Sequence, residues 1–301
     1  MQFFYQYPEL NGSQGDLLDA GPVHDVARIA EESGFMGFAF TEHPIPGARW
    51  LDAGGHQTLD PFVALGYAAA VTTRLRLLTY LAVVPYRNPF LLAKAAATVD
   101  KLSGGRFILG MGTGYQKSEF FALGVDFDER NALFDEALEV LPMHWSGEPF
   151  SYQGHHFTAR DVMARPRPVQ NPIPIWIGGN ARITRQRVAT RAQGWMPLLG
   201  PPTLNVTART PSVGGLDDIA AAIAEIRAEA APRGQAIDVL YPYMDDTIAV
   251  PGKDVERHRE AFGQLERIGV TWVMVPGATS VPSDTYEFLR SFGANYCVTP
   301  S

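Results

Sequence analysis

Residues 90–115 begin Phe90-Leu91-Leu92-Ala93-Lys94 and run at helical period to Leu102. They then read Ser103-Gly104-Gly105-Arg106, Phe107-Ile108-Leu109-Gly110-Met111 and Gly112-Thr113-Gly114-Tyr115. A helix-period segment, a glycine break, a run apolar at consecutive positions and a glycine-rich exit follow one another within one short stretch. A strand alternating apolar and polar buries one face, whereas a continuous apolar run requires burial on both, as in a parallel sheet covered by helices.

The same unit recurs outward in both directions. Strand-like runs occupy residues 3–5, 37–41, 75–84, 107–111, 173–177, 194–197, 239–243 and 270–275. Helix-period segments lie at 22–33, 61–71, 90–102, 131–145, 183–192, 217–231, 254–268 and 283–292. Pro22 suits a first helical turn, and Gly34, Gly269 and Gly293 stand where C-terminal glycines close helices. Eight of each predict an α/β fold of the (β/α)8 TIM-barrel type, with a doubly wound open sheet as the alternative. One barrel domain over residues 1–301 accommodates this length. The connections 147–172 and 200–215 exceed ordinary linkers and are expected to be excursions at the C-terminal face.

Composition narrows the function. A net charge of −7 and 25 Lys and Arg residues without a dense basic run argue against nucleic acid or an anionic membrane as partner. One cysteine, Cys297, excludes an intrachain disulfide and a multi-cysteine metal site, which fits a cytoplasmic setting. Met1–Leu10 lacks the pattern of a signal peptide, and no 18-residue apolar stretch occurs.

Barrel chemistry sits at the carboxyl ends of strands. The second run ends in Thr41-Glu42-His43-Pro44, which offers His43 as a proton-handling group with Glu42 to orient it, against the plainer reading of a surface histidine at a strand end. In the third run Thr79 and Tyr80 interrupt an apolar sequence, as a bulge beside a ligand does. At the fourth exit, Gly112, Thr113, Gly114 and Tyr115 remove side chains and supply hydroxyls, so space is expected there for something flat or bulky. The fifth exit, Gly178-Gly179-Asn180-Ala181, precedes a helix bearing Arg182, Arg185 and Arg187 and reads either as a phosphate-binding helix start or as an Asn-capped turn. His155-His156 is expected to be a loop feature and no metal site is expected, because adjacent side chains diverge on an extended chain.

Asn88-Pro89 through Leu102-Ser103-Gly104-Gly105-Arg106 resembles the bacterial luciferase-like superfamily of flavin- and deazaflavin-dependent oxidoreductases. Glu119–Val125, Phe127–Arg130, Pro172–Asn180 and Gly194–Pro197 extend the resemblance over most of the chain. It implies that Gly178 to Ala181 hold the cofactor phosphate, that Glu42 and His43 sit at the ring, and that a non-prolyl cis peptide at Tyr80–Leu81 lies against it. It also implies a homodimer. Its nearest branch implies coenzyme F420 and hydride transfer to or from a small organic substrate. FMN, with O2 as co-substrate and a partner reductase supplying the reduced flavin, is the alternative, and a non-catalytic flavin-binding protein is a third reading.

Overall fold

The computed structural model describes residues 1–11, 15–200, 202–277 and 281–297; Pro201, inside the predicted excursion 200–215, lies outside them. Eight parallel strands form the centre: β1 (Gln2–Gln6), β2 (Gly37–Phe40), β3 (Arg76–Thr79), β4 (Phe107–Gly112), β5 (Ile175–Gly178), β6 (Gly194–Met196), β7 (Asp238–Pro242) and β8 (Trp272–Pro276). Each pairs with its sequence neighbour, and β1 pairs with β8 from Gln2 opposite Trp272 to Gln6 opposite Pro276. With β4 and β5 joined through Leu109 opposite Ile175, the barrel closes. The open-sheet alternative is excluded.

Helices α1 (Val23–Glu32), α2 (Pro61–Ala69), α3 (Pro89–Ser103), α4 (Arg130–Ser146), α5 (Arg182–Arg191), α6 (Leu216–Ala230), α7 (Val255–Arg267) and α8 (Pro282–Tyr296) surround it. Asp60 caps α2 by accepting from the amides of Phe62 and Val63, and Asn88 caps α3 from Phe90; both helices open on proline. Strand residues alternate between two packed layers. Phe4, Ala39, Leu78, Ile108, Trp176, Met196, Leu240 and Met274 fill the barrel interior, while Phe3, Phe38, Leu77, Phe107, Ile175 and Val273 face the helices.

The segment that decided the fold is a structural clamp. Arg106 donates to the carbonyls of Ala69, Thr72, Leu75 and Ser103 and to the Thr72 hydroxyl, so one guanidinium ties the end of α2 to the starts of β3 and β4. Asp100, fully buried, accepts from the amides of Val169 and Gln170 and fixes the approach to β5. At Gly110 a Cβ would stand 1.9 Å from the Thr79 carbonyl, so only glycine lets β3 and β4 approach this closely.

Two expectations need correction. The predicted third strand, 75–84, is two pieces: β3 ends at Thr79, and Ala82–Val83 pairs separately with Met111 and Gly112. The excursion 147–172 follows a helix and therefore leaves from the face opposite the barrel mouth. It forms an antiparallel hairpin, Phe150–Gln153 with Thr158–Val162, whose tip runs back to the start of α4.

Candidate functional site

Between the two pieces of the predicted third strand, the peptide Tyr80–Leu81 is cis, where the resemblance implied it. Leu81 then points across the barrel mouth. A Cβ on Gly112 would stand 2.4 Å from one Leu81 methyl, and a Cβ on Gly178 2.3 Å from the other. The space that these two glycines clear is thus occupied by the protein's own Leu81, which corrects the expectation that the fourth exit is open for a ligand. Tyr80 and Leu81 pack onto the interior layer and form the floor of the mouth.

Beside this floor lies a buried polar network. His43 directs Nδ1 at Glu119 Oε2, 3.1 Å away, with His43 8% and Glu119 0% exposed. The same carboxylate accepts from the Tyr86 hydroxyl at 2.9 Å and, through Oε1, from the Ile45 amide at 3.2 Å. Burial first, and the Glu119 charge second, push the Tyr86 phenol well above its ordinary range, so it remains a donor. Trp50 and Tyr115 wall the imidazole at centroid distances of 4.5 and 6.0 Å. Burial, reinforced by Glu119, raises the Tyr115 hydroxyl to about 12.

The expected partner of His43 is different from the observed one. Glu42 is also buried, but it turns away, accepting from the Val83 amide at 2.7 Å and pairing with Arg87, which also reaches Asp60. Burial raises the Glu42 carboxyl against the lowering influence of Arg87. Glu42 braces the chain just beyond the cis peptide, and Glu119 orients the imidazole. A second acidic side chain, Glu9, reaches the mouth because Leu10–Asn11 pairs with His56–Gln57. It lies 3.0 Å from His56 Nε2 without the alignment of a hydrogen bond, and His56 faces His43 edge-on at 4.9 Å.

On the other side of the mouth, Gly178-Gly179-Asn180-Ala181 leads into α5, and Gly179 adopts φ +118°. The cap of α5 is Ala181, with no side-chain capping bond, so its first amides carry the helix's positive end without an acceptor from a cap side chain. Asn180 is neither cap nor free ligand: its side chain bonds the backbone of Leu198 at both ends and the Pro211 carbonyl. Arg185 pairs with Glu225 and the Asn180 carbonyl, and Arg187 makes a two-toothed bond to Asp135, so of the three arginines only Arg182 faces solvent.

Positive charge gathers nearby instead on residues from separate segments. Lys117, Arg130 and Arg209 all lie within 5.1 Å of the Phe127 ring centroid. Thr210, next to Arg209, accepts the Asn180 amide at 3.0 Å, which ties this patch to the turn. Between the ends of β6 and β7 a cavity of about 400 Å³ opens, lined by Leu199, Val213, Tyr241 and Met244 among others. A helix start without a side-chain cap and an adjacent cationic patch are the features that could hold an anionic group such as a cofactor phosphate. Thr79 is fully buried and donates to the Gly110 carbonyl, so it supports the mouth floor from below. Thr113 and Gly114 are half-buried at the rim.

The model of the luciferase-like monooxygenase family matches residues 1–274. The chain belongs to this family. Among luciferase-like relatives, an FMNH2-dependent dimethylsulfone monooxygenase of Pseudomonas putida is 28% identical over 251 residues, 79% of this chain and 63% of that one. An F420-dependent glucose-6-phosphate dehydrogenase of Microbacterium testaceum is 28% identical over 204 residues, 66% of this chain and 57% of that one. The matches therefore span less than two thirds of either relative. Crystalline monooxygenase RslO1 of Streptomyces bottropensis superposes with a TM-score of 0.75 at 22% identity, over 98% of both chains, and shares the luciferase-like barrel. Relatives in this family thus include both a flavin-dependent monooxygenase and an F420-dependent dehydrogenase. Among the described residues no helix is long and apolar enough to cross a membrane.

Proposed function

We propose that this protein is a single-domain oxidoreductase that exchanges hydride between coenzyme F420 and a small organic substrate, with His43 as the proton-transferring group. The observation that carries the reading is the buried His43–Glu119 pair beside the mouth floor. Each hydride moved between an alcohol carbon and an acceptor requires one proton to leave the hydroxyl, and the reverse reaction requires its return. Glu119 accepts from Nδ1–H, which leaves Nε2 as the group that takes or gives that proton. Trp50, Tyr115 and the low exposure of His43 keep bulk water from that nitrogen. Bound F420 would supply the hydride-accepting ring; Tyr80, Leu81 and Tyr115 are assigned to its ring end, and the start of α5 after the Gly178–Ala181 turn, with Arg209, to its phosphate.

Monooxygenation with reduced FMN from a partner reductase is the second reading, favoured by the similarity to the dimethylsulfone monooxygenase. A homodimer is part of the proposal, supported by Val63, Tyr67, Leu91 and Leu102, which expose apolar side chains on α2 and α3.

Titration of the purified protein with F420 and with FMN, read by fluorescence quenching, tests the cofactor. Saturable F420 binding that Arg209→Ala weakens, with turnover abolished in His43→Ala while binding persists, is expected. Binding of FMN alone sinks the hydride reading, and binding without turnover of any alcohol or ketone sinks the enzyme reading in favour of a flavin store.

A further inference from the structure

Outside the His43 network, the hairpin tip and the start of α4 bring together a second set of groups. Adjacent residues diverge on an extended chain, but the backbone bends at His155 and His156, and their rings meet at 4.5 Å and 89°. Glu129, the residue at the N-terminus of α4, joins them: one ligating atom from each of Glu129, His155 and His156 lies within 4.8 Å of the others. The bend is held from inside by Glu136, two turns along the same helix. Its carboxylate accepts from the amides of His155, His156 and Phe157 and from His156 Nδ1 at 2.7 Å. Gly154 makes this possible, since a Cβ there would stand 2.2 Å from Glu136 Oε2.

His156 consequently has a carboxylate at each nitrogen, Glu136 at Nδ1 and Glu129 at Nε2, the latter 3.0 Å away. A neutral imidazole has one N–H. With that hydrogen on Nδ1 toward Glu136, the Nε2 lone pair faces a carboxylate, and only a proton or a cation makes the contact favourable. His155 supplies a second nitrogen at the same place.

We propose that Glu129, His155 and His156 form a binding site for a divalent transition metal of the zinc type, with Glu136 orienting His156. Two imidazoles and a carboxylate suit zinc at distances of about 2.1 Å, leaving one position for water. A carboxylate bonded to the distal nitrogen of a ligating histidine fixes its tautomer and raises its basicity. Side-chain rotations at exposed Glu129 and His155 bring the three atoms to bonding distance. The site staples the hairpin to the start of α4 and shares no residue with the His43 network.

Equilibrium dialysis of the full chain against zinc, with metal content measured, tests the proposal. One equivalent bound by the wild type, weakened at least tenfold by His155→Ala and by Glu129→Gln and retained by His24→Ala, a surface histidine elsewhere, is the expected result. Both substituted side chains are exposed, so loss of fold does not confuse the outcome; circular dichroism checks it. Absence of stoichiometric zinc binding at tens of micromolar, or binding that both variants keep, overturns the proposal.

Discussion

Replacing Glu119 by alanine removes an acceptor from a fully buried position where three donors converge: His43 Nδ1, the Tyr86 hydroxyl and the Ile45 amide. Hydrogen bonds to a charged group contribute about 1.5 kcal/mol or more each. The carboxylate's own desolvation on folding offsets part of this, and a net loss of about 3 kcal/mol in unfolding free energy is expected. The more discriminating quantity is the coupling to His43. In a double-mutant cycle of His43→Ala and Glu119→Ala, followed by urea denaturation without cofactor, the pair should show an interaction energy of about 1.5 kcal/mol, the size of one charge-assisted bond. Additivity within about 0.5 kcal/mol would mean that Glu119 does not hold the imidazole. The assignment of His43 as an oriented proton carrier would then fail on physical grounds, whatever the substrate.

Gly110→Ala drives a methyl into the Thr79 carbonyl and should cost about 3 kcal/mol or prevent folding, measured by denaturant midpoint; Gly178→Ala meets only a movable Leu81 methyl and should fold. Asp245 is held well below the ordinary aspartate range, first by Arg257 and then by Thr247. Its folded value lies below its unfolded value, so the stability it contributes is present above the unfolded value, about pH 4, and is fully lost only once pH has fallen through the much lower folded value. Because the folded carboxylate stays ionised well below pH 4, Asp245→Asn should lower the thermal midpoint at pH 7 and still lower it measurably at pH 3, the effect fading only as pH approaches the folded value; no drop at pH 7 contradicts the ion pair. Burial raises the Cys297 thiol to about 12, and native protein at pH 8 should react with a disulfide reagent far more slowly than unfolded protein, by absorbance.

The barrel was legible because its strands are continuous apolar runs, a pattern that burial on both faces writes directly into the chain. The most specific stretch, ending in Arg106, marks the fold through a clamp far from any chemistry. The break after Thr79 was visible as polar and aromatic residues in an apolar run. What the sequence concealed is pairing at a distance. Glu42 stands next to His43 in the chain, yet neighbouring side chains diverge, and the orienting carboxylate comes from 76 residues away. No local pattern links Lys117, Arg130 and Arg209 either; they meet only around Phe127. Likewise, glycines at 112 and 178 signal missing side chains, but only the folded chain reveals that Leu81 fills the gap.

Glu119 rides on a six-residue helix, Lys117–Ala122, inserted after β4, while His43 and Ile45 belong to the loop after β2. These two loops form one transplantable unit. Exchange of either alone between relatives, to import a new specificity, would leave an imidazole without its carboxylate or a buried carboxylate without its donors. Recombination at this rim must therefore cross over outside both loops together, and libraries that shuffle them independently will be depleted in active members.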